Sequence, residues 1–480
     1  MYQAVVSKVK TRPHPDPKVT RIQLGEVCGE TVVIGLDVKD GDLLLYFPCD
    51  GQLSPGFAAA NNLYSHSDLN WDKTKKGYFD DNRRVRAQKF RGEKSDGFAV
   101  EIDALFNLSQ HMDYQAMDTE AGWPLRTAIH DLKDGDAFSE LAGVPICNKY
   151  ETPATQRAKQ GKQRQKKIKR VNLCFSEHRD TKQFRHQMGV IPAGSTITIT
   201  EKEHGTSGRY AHVEETVKLP LSWFFIVINF LIHQINRIPG VNIRFLMGKT
   251  LTLWAYLMGT RRVIKGEPGV DWHGTDNYRW EFMKDVWPRM HKGEIIYGEI
   301  VGYTDTGASI MKGQSTAKLE KPLRKQYGDV MEYKYGCPAG TSAFHVYRIV
   351  MTNVDGVETE LTWDQVKARS AELGLETVRE LAGPFIYLGP NHYVKVDYQL
   401  EELAVKTGVL GLYGLQHLVE GLIEGPSLLD PSHIREGVIV RVDGPEGNTY
   451  FLKDKSFEFK VLESIIKNND SYIDTEEVES

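Results

Sequence analysis

The chain has 480 residues, of which 40% are apolar and 26% charged, a profile of folded globular proteins and not of disordered ones. Its 60 Lys and Arg against 64 Asp and Glu leave a net charge of −4. That balance excludes a generally basic coat for nucleic acid and leaves room for a local basic groove. At about 100–200 residues per domain the length holds two or three domains. Cys28, Cys49, Cys147, Cys174 and Cys337 are odd in number and widely spaced, with no C-x-x-C. Disulfide frameworks and zinc knuckles are therefore not expected, and a reducing cytoplasm is. Met1-Tyr2-Gln3-Ala4 does not open a charged and then apolar leader, so no signal peptide is expected.

Residues 1–50 read as short strands at Ala4–Val9, Arg21–Val27, Thr31–Leu36 and Leu43–Phe47. They are rich in β-branched and apolar residues and are separated by Pro, Gly and Asp turns. Strands at this spacing predict a small antiparallel barrel. Residues 73–94 carry Lys73, Lys75, Lys76, Arg83, Arg84, Arg86, Lys89, Arg91 and Lys94 among Tyr78, Phe79 and Phe90. Cations for phosphates and rings for bases fit a nucleic-acid contact, and a solvated loop face fits equally. Residues 157–170 hold eight cations and no acid, which predicts a flexible basic linker at a domain boundary. Residues 219–258 contain the apolar run Trp223–Ile232. The run is too short for a membrane span of ~20 residues, so the segment reads as a buried or interfacial helix and no membrane contact is expected. Asp470, Asp474, Glu476, Glu477 and Glu479 form an acidic, frayed end.

Ser195–Thr200 alternates as a strand and runs into Glu201-Lys202-Glu203-His204-Gly205-Thr206-Ser207. A lysine at a strand end before a glycine turn can be held facing a pocket, and taken alone it can equally be an exposed turn. Three later strands change that weight. Ile295–Gly302 embeds Glu299, Glu436 opens the strand to Arg441, and Tyr450–Lys455 puts Lys453 and Lys455 on one face because the side-chain period is two. Charges inside apolar strands are costly unless they face one another or a ligand. Together they predict one polar site on a sheet, built for a phosphate-rich ligand and a metal.

These segments, in this order, resemble the covalent nucleotidyltransferases, and within them the nick-sealing RNA ligases. Lys202–Ser207 matches their Lys-x-His-Gly-Thr-Asn/Ser, and Gly298-Glu299, Glu436–Arg441 and Lys453-x-Lys455 match later motifs. Gly259–Val263 resembles the segment whose arginine meets the ribose and phosphate, here Arg261 or Arg262. Phe344–Ile349 resembles the segment whose aromatic ring stacks on adenine, here Tyr347. The resemblance covers about residues 172–467 and is specific as an ordered set.

It implies an α+β fold: a nucleotidyltransferase (ATP-grasp-like ligase) domain of two antiparallel sheets plus helices at 171–467, with the insert 219–258. An N-terminal OB-like β-barrel at 1–130, a basic linker at 131–170 and an acidic tail at 468–480 complete the chain. An N-terminal barrel, with none after Lys455, is similar to the Deinococcus-type and phage RNA ligases. The resemblance further implies that Lys202 takes AMP from ATP, passes it to a 5′-phosphate RNA end, and leaves it to be displaced by a 3′-OH. Lys453 and Lys455 would neutralise phosphate. Glu299 and Glu436 would bind ribose or hold the water shell of Mg2+ or Mn2+. Glu201 would help orient adenine, with Glu203 and Gly205 also in the nucleotide site. The partner would be nicked or broken RNA, and a monomer is expected.

Besides the missing barrel after Lys455, the gap from Lys202 to Arg261 is longer than in compact relatives because it holds the insert 219–258, and one further departure and one decoy stand out. Arg348 follows the stacking residue where the family commonly has an acid, and Lys94-Ser95-Asp96-Gly97 is a second literal nucleophile motif, set aside because it lies over 200 residues from its partner motifs. The rival readings are a DNA ligase, an RNA-capping guanylyltransferase, and a non-catalytic RNA-binding protein.

Overall fold

The computed structural model describes residues 2–164, 170–218, 250–266, 270–271, 274–317, 319–390 and 408–473. The N-terminal part holds β1 (Ala4–Lys8), β2 (Lys10–Arg12), β3 (Ile22–Val27), β4 (Glu30–Gly35), β5 (Leu43–Phe47), β6 (Gly51–Leu53) and α1 (Pro55–Ala60). It continues with β7 (Ala87–Phe90), β8 (Glu93–Asp96), β9 (Phe98–Glu101), α2 (Asp103–Ala116), α3 (Trp123–His130), β10 (Ala137–Phe138) and α4 (Pro153–Arg164).

The strands expected from alternation are present within a residue or two. They form a four-stranded sheet in the order β10-β1-β5-β9 and a three-stranded sheet β2-β3-β4. Among the described residues these sheets stay separate and do not pair into one closed ring. Val6, Leu45 and Phe47 of the larger sheet bury against Phe57 of α1 and Leu105 of α2, and each such side chain contributes about 1.5–3 kcal/mol of burial. Two expectations change here. Residues 87–96 are a hairpin, β7 with β8, and not an open basic loop. The basic stretch from 157 is helical as far as Arg164, because Ala, Gln, Lys and Arg are all good helix formers; residues 165–169 lie outside the described residues.

The remainder builds two sheets, antiparallel but for short parallel strands added at or near their edges. Its elements are β11 (Lys182–Gln183), β12 (Thr196–Lys202), β13 (Thr206–Lys218), β14 (Thr250–Gly259), β15 (Ile264–Lys265), β16 (Glu294–Gly302) and α6 (Lys321–Tyr327), with α5 (Phe184–Gln187) after β11. Then come β17 (Ser342–Thr352), β18 (Glu358–Glu360), α7 (Trp363–Leu373), β19 (Glu376–Thr377), β20 (Glu380–Tyr387), β21 (Val409–Leu410), α8 (Leu412–Ile423), β22 (Gly437–Asp443), β23 (Thr449–Lys455) and α9 (Phe457–Ile466). Six strands order as β11-β23-β22-β12-β20-β21, and the second sheet runs β15-β14-β13-β16-β17-β18 with β19 on β17.

Ile197 and Ile199 of β12 pack with Val438, Val440 and Val442 of β22 and with Leu418 of α8. Tyr210, Ile296, Val346 and Ile349 of the second sheet pack on Trp363 of α7. The helix read for 219–258 is not borne out at its end, since 250–259 is strand β14 paired along β13; residues 219–249 lie outside the described residues. Among the described residues no helix is long and apolar enough to cross a membrane.

α9 joins the two parts. Ser456 caps it, accepting from the Phe459 amide at 3.1 Å. Its far side meets the N-terminal part: Lys460 pairs with Asp96 at 2.5 Å and with Glu30 at 3.2 Å, and Lys89 pairs with Glu458 at 2.9 Å. Arg185 of α5 adds a second link, to Glu30 at 3.4 Å and Asp454 at 2.9 Å.

Candidate active site

Strand register assembles the lysines. Lys202 of β12 lies opposite Gly437 of β22, and Gly437 lies opposite Lys455 of β23. One step along, Thr200, Ile439 and Lys453 form the parallel row. Residues in a row point to the same face and positions two apart share it, so Lys202, Lys453 and Lys455 all face one side. Gly437 keeps the space between the outer two open. It sits at φ +156°, and a Cβ there would fall 2.1 Å from the Asp454 carbonyl oxygen, a collision with backbone that no rotamer relieves.

Glu436, just before Gly437, fills the gap with its carboxylate. Oε1 is 2.7 Å from Lys202 Nζ and 3.2 Å from Lys455 Nζ, and Oε2 is 3.6 Å from His204 Nδ1. Burial alone would raise the Glu436 carboxyl, but Lys202 and Lys455 hold it well below the usual carboxylate range. Burial also lowers Lys453, and the neighbouring charges of Lys455, Lys202 and Arg261 bring it down to about 8. Lys455 goes the other way. Burial opposes its charge, yet Glu463 and Glu436 hold it above the ordinary lysine value.

The second sheet faces these cations. Glu299 of β16 is paired across to Ser207 and His345. Gly205 lets the chain after Lys202 pass close to it, since a Cβ there would lie 2.4 Å from the Ile300 carbonyl and 2.9 Å from Glu299 Cγ. In β17 the register slips so that Val346 faces Gly298 and Arg348 faces Tyr297. Tyr347 falls at that bulge. Its hydroxyl is buried with no hydrogen-bond partner, and burial and then Glu299 raise it well above the usual tyrosine value. Its ring meets the edge of His178 at 5.6 Å, and His178 is kept neutral at about 3 by burial, Arg261 and Arg348.

The departure at Arg348 has a local answer. Arg348 lies over the Tyr297 ring at 4.5 Å and binds Glu360 at 2.8 Å and Glu358 at 3.2 Å, both from β18. The adjacent strand supplies the counter-charge. Arg261 and Arg262 share Asp180, at 2.7 and 3.3 Å.

Two residues of the Lys202 segment face elsewhere. Glu201 is buried, its Oε2 accepting from the Leu428 amide at 3.0 Å with Arg435 at 3.9 Å, while its Oε1 has no hydrogen bond. Glu203 is buried with Oε2 2.7 Å from His345 Nδ1. Lys94, the rival nucleophile, is an exposed residue of the β7–β8 hairpin, 3.5 Å from Glu424 and over the Phe457 ring. Residues that sequence reasoning did not single out are His204, wedged edge-on between Tyr333 and Phe459, together with His178, Asp180 and Glu463. Of these only His204 carried a signal, as part of the motif.

Among the described residues no group of three or more His, Cys, Asp or Glu could hold a metal directly. Glu436 Oε2, buried without a hydrogen bond, suits a water of a hydrated cation, and a hard divalent ion that keeps its waters needs only one or two carboxylates. The arrangement suits a polyphosphate: three lysines from two strands share one face, an arginine stands opposite, and a neutral aromatic pair lies beside them.

A family model described as RNA ligase matches residues 195–462, more than half of the chain. No curated protein matches the chain. A lysine-to-alanine variant of Naegleria gruberi RNA ligase, solved with ATP and manganese, is similar at a TM-score of 0.50 and 15% identity, over 95% of this chain and 98% of that one. A lysine-to-methionine variant of the same enzyme with AMP and manganese gives 0.50 and 14%, over 98% and 99%. A glutamate-to-alanine variant with ATP and manganese gives 0.50 and 14%, over 95% and 98%. At such identities the likeness speaks for the fold, and it extends through the N-terminal part.

Proposed function

Because the chain belongs to the RNA ligase family, we propose that it is an ATP-dependent ligase that seals 3′-OH/5′-phosphate breaks in RNA, with Lys202 as the nucleophile. The observation that carries this reading is that Lys202 and Lys455 share the one carboxylate of Glu436, with Lys453 on the same face of the sheet and its charge disfavoured by theirs.

In the first step Lys202 Nζ, held by Glu436, gives up a proton to solvent and attacks the α-phosphorus of ATP with the freed lone pair. A P–N bond forms, the bond to the bridging oxygen breaks, and pyrophosphate leaves. Lys453 and Lys455 sit where they neutralise charge on the transferring group, and in-line transfer needs chiefly such positioning and neutralisation. Arg261, with Arg262 beside it, meets the ribose and phosphate, and Tyr347 stacks on the adenine. Glu201 and Glu203, on either side of Lys202 in sequence, hold the strand end through Leu428, Arg435 and His345 and so support the nucleotide site from behind. In the second step a 5′-phosphate oxygen takes AMP from Lys202. In the third a 3′-hydroxyl attacks the adenylylated phosphorus, closing the strand and releasing AMP. A divalent ion such as Mg2+ or Mn2+, its waters held by Glu299 and Glu436, would supply further charge neutralisation.

The N-terminal part, to about residue 130, is read as an OB-like unit that holds duplex RNA near the break, as in the Deinococcus-type ligases. Strands within residues 131–149 pair with β1 and β6, so this stretch is read with the N-terminal part, which shortens the expected linker at 131–170 to about 150–170. A nucleotidyltransferase domain follows at 171–467, and the protein is read as a cytoplasmic monomer. The test is incubation with labelled ATP and Mg2+, followed by sealing of matched RNA:RNA, RNA:DNA and DNA:DNA nicks. A covalent AMP adduct in wild type and in Lys94→Ala, lost in Lys202→Ala, with sealing of RNA ends, is the expected result. Labelling by GTP alone would indicate a capping enzyme, sealing of DNA alone a DNA ligase, and no adduct in wild type a binding protein.

A further inference from the structure

Beyond the Lys202–Glu436–Lys455 cluster the ion pairs do not stop. Lys455 Nζ also lies 3.0 Å from Glu463 of α9, Glu463 lies 3.1 Å from Lys467 one helical turn on, and Lys467 Nζ lies 3.0 Å from Asp50 in the N-terminal part. Asp50, Lys467, Glu463, Lys455, Glu436 and Lys202 therefore form one chain of alternating sign. Each interior member is shared by two neighbours of opposite charge.

The far end is fixed. Asp50 Oδ1 is 3.3 Å from the buried Arg84, which donates to the Ser464 carbonyl at 3.0 Å and to Asn468 at 3.3 Å. The Asp50 backbone is in the left-handed region at φ +67°, which aspartate tolerates better than most residues. Its amide donates to Val85 and its carbonyl accepts from Tyr150, at 3.2 and 2.9 Å. Buried ion pairs are poor sources of net stability compared with apolar packing, and their best-attested use is to fix geometry. A chain that starts on a rigid turn and ends on a reactive amine fits that use.

We propose that Glu463, and through Lys467 the Asp50 of the N-terminal part, are positioning residues that hold Lys455 against Glu436 and so set the geometry of AMP transfer. This rests on the reading of Lys202 as nucleophile. Without Glu463, Lys202 and Lys455 compete for a single carboxylate, and Lys455 loses the anion that keeps it in line. The N-terminal part then takes part in the nucleotide chemistry as well as in holding RNA.

The test measures single-turnover lysyl–AMP formation in the full-length chain at saturating ATP, with the folded fraction of each variant taken from its melt. Glu463→Gln is expected to slow adenylylation by about tenfold while KM for ATP moves by less than about threefold. Glu463→Asp should recover part of that rate, and Asp50→Asn should slow it by about threefold. The double variant Asp50→Asn/Glu463→Gln should be no slower than Glu463→Gln, because both cut the same chain. Wild-type rates in both single variants, losses that vanish once corrected for folded fraction, or two effects that multiply would each overturn the proposal. If Glu463→Gln does not fold, Lys467→Gln, one pair further from the site, carries the same comparison with Asp50→Asn. Lys202→Ala run alongside keeps the two readings apart: an adduct that survives it overturns the nucleophile assignment, whatever the chain variants do.

Discussion

Residues 83–94 hold six cations within twelve positions, whereas Lys202, Lys453 and Lys455 are three lysines spread over half the chain. In the fold the dense run is largely answered. Arg84 meets Asp50, Arg86 meets Asp80, Lys89 meets Glu320 and Glu458, and Lys94 meets Glu424. The scattered lysines converge. Lys202 and Lys455 share Glu436, and Lys453 forms no ion pair among the described residues. Density of charge along a sequence thus says little about where unbalanced charge ends up. A run close in sequence is matched acid by acid where it packs on the rest of the chain, while cations brought together by sheet register leave a positive excess for a ligand to fill.

That contrast can be broken by five measurements. Lys202→Ala should remove lysyl–AMP formation by more than about 10³-fold and spare sealing of a pre-adenylylated RNA end far more, read by labelled adduct and by gel. Equal loss in both assays would count against the nucleophile role. Lys453→Ala should slow adenylylation on the order of 10²-fold, the cost of one donor aimed at developing charge. A companion measurement follows from its lowered value. A triphosphate beside Lys453 restores its preference for the charged form, so ATP binding near pH 8 should take up a fraction of a proton in wild type and less in Lys453→Ala, seen as buffer-dependent calorimetric heats.

In the answered run, Arg84→Ala should cost about 2–4 kcal/mol of stability in a denaturant melt. It leaves a buried cavity and loosens Asp50. Lys89→Ala, a partly exposed pair, should cost under about 1 kcal/mol and leave adduct formation unchanged. A Lys89→Ala defect in adenylylation matching that of Lys453→Ala would erase the distinction between the two groups.

Much of the fold was legible where one physical rule dominates. Thr196–Lys202 and Gly437–Asp443 alternate β-branched and apolar residues, and their ends were readable within two positions. Lys453 and Lys455 follow from the two-residue period alone. What stayed hidden depends on partners distant in sequence. Lys467 and Asp50 are 417 positions apart, and no local pattern announces their pairing. The bulge at Tyr347 is a matter of register between β16 and β17, which neither strand encodes by itself. Residues 250–258, the end of the segment 219–258 read as a helix, lacked a decisive period, and pairing along β13 made them a strand. The basic run at 83–94 showed its charges and not Asp50, Glu320, Glu424 and Glu458, the distant acids that meet them.

β12 is an inner strand, bonded to β22 along its whole length and to β20 as far as Thr200. An inner strand cannot fray, so its amides exchange with solvent only when the whole sheet opens. Deuterium uptake at Ile199 and Thr200 should therefore be among the slowest in the chain. Heat or denaturant should extinguish AMP capture at the same midpoint at which the sheet melts. For the strand that carries Lys202, losing its place and melting of the sheet are the same event, while the ion pairs around Glu436 set the side chain within the folded state.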